Sequence, residues 1–88
     1  SYSLDYGYQL LVVGDDVFVE RVRPGTDAET KTHPGDQVLS LNGGQVGRAS
    51  FGRMQYLLQI LQPQTVTRLE LKSPAGEVRT VSVDTSSI

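Results

Sequence analysis

The chain has 88 residues, eight Lys or Arg against ten Asp or Glu, a net charge of −2 and no cysteine. That length is one small domain with room for a single core. No basic stripe is present, with no Lys or Arg before Arg21, and this argues against nucleic-acid binding, which needs clustered cations. No apolar run approaches the ~20 residues of a membrane span, and disulfide and thiol chemistry are excluded. No initiator Met or leader pattern is seen, as expected of a segment of a longer protein.

In chain order, Tyr8-Gln9-Leu10-Leu11-Val12-Val13 has strong β propensity. Gly14-Asp15-Asp16 is a turn cluster, and Val17–Val22 is a second strand, so the two form an antiparallel hairpin. After Pro24-Gly25, Thr26 and Glu29 have capping-box spacing, which predicts a short helix. Gln37–Leu41 is a third strand after Pro34-Gly35-Asp36, closed by Asn42-Gly43-Gly44. Met54, Leu57, Leu58 and Leu61 recur at i, i+3, i+4 and i+7, which predicts a helix from Ser50, as its N-cap, to Leu61 before Pro63. In this helix Leu57 is expected in the core, and Leu58 partly in a groove. Thr67–Lys72 alternates as a half-buried strand. Ser73-Pro74-Ala75-Gly76 turns the chain into a last strand, Val78–Val83. Residues Asp84–Ile88 then read as a free, extended tail. The fold class is mostly β with α: a partly open antiparallel barrel or sandwich capped by one long and one short helix.

No catalytic constellation is found. His33 is the only histidine and reads as a surface loop residue; no serine lies in a nucleophile-elbow context. One histidine with scattered acids does not make a metal site, and no cofactor motif is present. Gly43-Gly44-Gln45-Val46-Gly47 lacks the lysine of a phosphate-binding loop and reads as a turn. Asp36 after Gly35 reads as structural, accepting bonds from turn amides.

Three stretches, taken with the element order, resemble the PDZ family across residues 1–88 as a single domain. Asp5-Tyr6-Gly7-Tyr8-Gln9-Leu10 is similar to its Gly-Leu-Gly-Phe carboxylate-binding loop. Val17–Ala28 resembles its strand, Pro-Gly turn and short helix. Pro34-Gly35-Asp36-Gln37-Val38-Leu39-Ser40-Leu41-Asn42-Gly43 resembles its Gly-Asp, apolar strand and Asn-Gly stretch. The extra strand Val78–Val83 is similar to PDZ domains attached to bacterial proteases.

The resemblance implies a non-catalytic module that binds an extended peptide, C-terminal or internal, by strand addition. The peptide lies between Tyr8–Val12 and the helix, with Gln9 and Leu11 on the binding strand. The amides of Gly7 and Tyr8 hold the peptide carboxylate, and Tyr6, Tyr8, Leu10 and Leu58 line the last pocket. Phe51 falls at the selectivity position, where it favours an apolar side chain, and Gln55 one turn later. The family's cation before the loop is missing; Asp5 stands there instead, with Arg79 as the expected compensation. Ile88 is similar to tails that such domains accept, so a neighbouring copy's tail is a further expected ligand. The alternative is a PDZ-like packing unit that docks on its own parent chain.

Overall fold

The computed structural model describes residues 4–87. Strand β1 (Leu4–Asp5) is followed by β2 (Tyr8–Val13) and β3 (Asp16–Val22), then helix α1 (Asp27–Lys31), β4 (Gln37–Leu41) and β5 (Gly44–Gln45). Helix α2 (Arg48–Tyr56) continues as a π-helical turn over Leu57–Leu61, and β6 (Val66–Lys72), β7 (Val78–Asp84) and β8 (Ser86–Ser87) complete the described chain. The main sheet is antiparallel in the order β2-β3-β4-β6-β7, with β5 added to β4. It is an open sheet rather than a closed barrel.

Alternation of side chains builds the core. Val17 and Val19 of β3, Val38 and Leu41 of β4, Leu69 and Leu71 of β6 and Val83 of β7 are buried together with Ala28 and Leu58. Tyr8, Leu10 and Val12 turn to the same side, while Gln9, Leu11 and Val13 face out, as a two-residue period requires. A bulge between Gln9 and Leu10 shifts the β2–β3 register, a feature that increases local twist.

The two edges of the sheet are treated differently. On β7, the Asp84 amide donates to Asp27 Oδ2 at 2.7 Å and Lys31 Nζ donates to the Ser82 carbonyl at 2.6 Å, so α1 covers the last part of the outer edge. On β2, only β3 pairs with the strand among the described residues.

Several expectations are corrected. Thr26 is the N-cap of α1, but its hydroxyl donates to the Arg23 carbonyl rather than accepting from the helix, and the Glu29 carboxylate receives the Gly25 amide. Helix α2 starts at Arg48 with Gly47 as N-cap, so Ser50 sits one turn inside. Its Oγ accepts the Gly47 amide at 3.2 Å, which satisfies an orphan donor from within the first turn. The segment Asp84–Ile88 is not free: Asp84 ends β7, and Ser86 and Ser87 pair with Asp5 and Leu4. The Thr85 amide and hydroxyl donate to the Thr65 and Gln64 carbonyls. Ile88 lies outside the described residues.

The core position expected at Leu57 falls to Leu58. Leu58 is buried at 6% exposure, whereas Leu57 is half-buried. Leu57 and Leu58 both line a cleft of about 340 Å³ with Met54, Val46 and Gln45, so they differ in depth of burial rather than in the cleft they face. The backbone up to Leu57 is regular α-helix, and the turn widens only beyond it, where the Gln62 amide reaches back to the Leu57 carbonyl. Leu58→Ala is expected to cost about 2–4 kcal/mol and Leu57→Ala clearly less. Urea denaturation of the two variants checks this, and equal losses would place both side chains in one environment.

Candidate functional site

The candidate site is the loop between β1 and β2, the free edge of β2, and the end of α2. Gly7 adopts a φ of +85°, a conformation that a side chain makes costly. The space is closed as well: a Cβ there would lie 2.7 Å from Thr26 Oγ1 and 2.8 Å from Ala28 Cβ. Gly7 therefore lets the loop lie directly on the start of α1. The Arg23 amide donates to the Gly7 carbonyl at 2.8 Å and holds the loop against the end of β3.

The Gly7 amide is not open to solvent. It donates to Asp5 Oδ1 at 2.9 Å, the local bond that an Asp makes to the backbone two residues on. Asp5 Oδ2 meets Arg23 Nε at 2.5 Å. Of the two amides expected to hold a carboxylate, that of Gly7 is thus engaged by a carboxylate from its own chain. The cation expected before the loop comes instead from Arg23, and Asp5 neutralises it. Arg79 does not compensate: its Nη2 lies 2.7 Å from Asp36 Oδ2 and 3.0 Å from the Lys31 carbonyl. Asp36 is 1% exposed and also accepts the His33 amide. A carboxylate buried so deeply needs a charged partner, and that requirement commits Arg79.

Tyr6 joins the loop to the helix. In the widened turn the Gln62 amide donates to the Leu57 carbonyl at 2.7 Å. The same register would pair Leu58 with residue 63, which is proline and has no N–H. The Tyr6 hydroxyl supplies the missing donor to the Leu58 carbonyl at 2.5 Å and accepts the Gln64 amide at 3.1 Å. Tyr8 lies beside it, with ring centroids 6.2 Å apart, and its hydroxyl bonds Thr67 Oγ1 at 2.8 Å.

Tyr6, Tyr8, Leu10 and Phe51 all pack against the cluster that contains Leu58. Phe51 is the fourth residue of α2, not the first, and Gln55 lies half-buried one turn later. Gln9 and Leu11 point away from this cluster, Leu11 being 44% exposed. They offer their backbone at the edge rather than a pocket wall. Among the described residues, no three His, Cys, Asp or Glu side chains gather as metal ligands. Arg23, Gln64 and Thr67 carried no signal in sequence, whereas the spacing of Asp5 and Gly7 is that of an Asx turn.

No protein-family model matches the sequence, and no curated protein matches it. Solved structures do. The PDZ domain of the carboxy-terminal protease from Vibrio cholerae, solved in complex with peptide, has a TM-score of 0.72 at 14% identity, over 100% of this chain and 98% of that one. The HtrA3 PDZ domain bound to a phage-derived ligand gives 0.76 at 14% identity, over 100% and 89%. A PDZ domain protein from Parabacteroides distasonis gives 0.78 at 11% identity, and there the chain spans only 21% of its relative. At these identities the likeness is one of fold.

Tyr8 gives the site a measurable pH signature. Burial pushes its phenol from 10.0 up to about 12, partly opposed by the Thr67 hydrogen bond. Burial favours the neutral phenol, so its contribution to stability is complete below pH 10 and is lost as the pH rises toward 12. At pH 8, Tyr8→Phe is expected to cost about 1 kcal/mol through the lost bond to Thr67. The gap between the native chain and the variant should close or reverse by pH 11. Urea denaturation at the two pH values checks this, and an unchanged gap would mean a solvated hydroxyl.

Proposed function

We propose that this chain, which has the PDZ fold, is a non-catalytic module that captures an extended peptide along the free edge of β2. The observation that carries the reading is the asymmetry of the sheet. α1 bonds backbone groups at the end of β7's outer edge, at Ser82 and Asp84, whereas β2 has no second strand beside it among the described residues. An unpaired edge is a template for strand addition, in which backbone bonds supply affinity and neighbouring pockets supply choice. Helix α2 packs beside β2, and Phe51, Leu10 and the two tyrosines provide apolar surface near that edge. Two neighbours in fold, the Vibrio cholerae domain and the HtrA3 domain, were solved with peptide ligands. Within a protease, as in the first of these, such a module would capture or present substrate. The ligand comes from another chain rather than from a second copy's tail, because β8 holds Ser86 and Ser87 against β1.

A second reading, a packing unit that docks on its parent chain, draws on the loop: the Gly7 amide already holds a carboxylate. Selection from random peptide libraries, followed by amide chemical-shift mapping, separates the two. Peptide binding predicts shifts concentrated on Tyr8–Val12 and along α2. Absence of any selected peptide, or shifts confined to other strands, would favour the packing unit.

A further inference from the structure

We infer that the groove selects extended segments that run on past the loop, internal stretches of a chain, over segments that end there in a free carboxylate, and that Asp5 sets this preference. The inference rests on the peptide-binding reading above. A terminal carboxylate needs backbone amides free to converge on it. Gly7, the residue of the loop whose geometry suits that task, already donates to Asp5 Oδ1 at 2.9 Å. Arg23, the nearest cation, is paired to Asp5 Oδ2 at 2.5 Å. An incoming carboxylate therefore meets an amide in use, a cation in use and a like charge, each of which disfavours it.

Asp5 is not easily moved aside. Its backbone pairs with Ser86, its side chain bonds both Gly7 and Arg23, and the Arg23 amide returns to the Gly7 carbonyl. Tyr6, next in the chain, is pinned to the Leu58 carbonyl and the Gln64 amide. Asp5 thus occupies the loop with the chemical group that a chain terminus would bring. A ligand that continues as ordinary peptide brings no charge to this point and keeps its backbone bonds to β2.

The test uses two phage libraries selected on the folded chain, one displaying random peptides at a free C-terminus and one displaying them between fixed Gly-Ser flanks. Hits are then synthesised as free acids, C-terminal amides and extended peptides for fluorescence titration. The inference expects enrichment from the flanked library, with affinity held within about threefold on amidation or extension. Asp5→Ala frees the Gly7 amide and the Arg23 guanidinium, and should improve binding of free acids relative to amides by about tenfold or more. Arg23→Gln changes a side chain that is 65% exposed, so folding is not at stake; it leaves the Asp5 charge uncompensated and should move the ratio the opposite way. Enrichment only from the C-terminal library, with amidation weakening the native chain about tenfold, would overturn the inference and leave the peptide-binding reading intact. An acid-to-amide ratio unmoved by both substitutions would overturn the role of Asp5. No enrichment from either library would overturn the peptide-binding reading, and the inference with it.

Discussion

Proline at position 63 has no amide hydrogen, and much of the geometry around the loop follows from that. A helix that ends before proline leaves carbonyl groups without their regular donors. Here the last turn widens, so that the Gln62 amide reaches Leu57, and the Leu58 carbonyl is left for the Tyr6 hydroxyl. That single bond spans 52 positions in sequence. It fixes the distance between the loop before β2 and the end of α2, and hence the shape of the groove's closed end. Removing the hydroxyl would strand a carbonyl, the kind of loss that costs about 1–3 kcal/mol. The same change would also release the loop, so stability and site geometry are coupled through Tyr6.

The sheet edges show a comparable economy. Asp27 and Lys31 stand four residues apart on α1 and are bonded to each other at 2.8 Å. Backbone groups of β7 complete their hydrogen bonding. The Asp84 amide, more than Lys31, holds the Asp27 carboxyl below its usual range. Five residues of helix thus bond the end of β7, where a further strand would otherwise pair. The open edge of β2 carries exposed Leu11 and Val13, at 44% and 54%. Apolar residues on an unprotected edge invite pairing unless that edge has a use.

Period and punctuation in the sequence made β2, β3, β4, β6, β7 and the two helices legible, but not the two-residue strands β1, β5 and β8: Gly44–Gln45 reads as a turn yet pairs with β4. The boundaries of β4 and the turns at Gly14, Asn42 and Pro74 are where glycine, asparagine and proline place them. The alternation Thr67, Leu69, Leu71 reads directly as the buried face of β6. What resisted reading was set by contacts distant in sequence. The start of α2 moved from Ser50 to Arg48 because a Gly47 N-cap leaves Ser50 to serve the cap from inside the helix. Leu58, not Leu57, took the core position, and the widened turn that follows them, where Pro63 has no amide and Tyr6 supplies the donor, left no trace in the period. Arg79 was taken by Asp36, a demand of burial that only the folded chain reveals.

The loop carries the remaining lesson, and it is one of chemistry rather than pattern. A glycine flanked by aromatic residues before a strand raised the expectation of an anion-binding amide, yet the same amide is available to any carboxylate within reach. Asp5 is two residues away, needs no loop closure to find Gly7, and arrives with Arg23 as counter-ion. An intramolecular carboxylate at such proximity competes at a high effective concentration with any ligand in solution. Its like charge adds a penalty that a neutral segment does not meet. The motif therefore specifies the backbone shape, while the residue two positions before the glycine decides which group occupies it. Asp5, Gly7 and Arg23 act as one unit, and a single substitution in it should alter which ligand end the loop accepts.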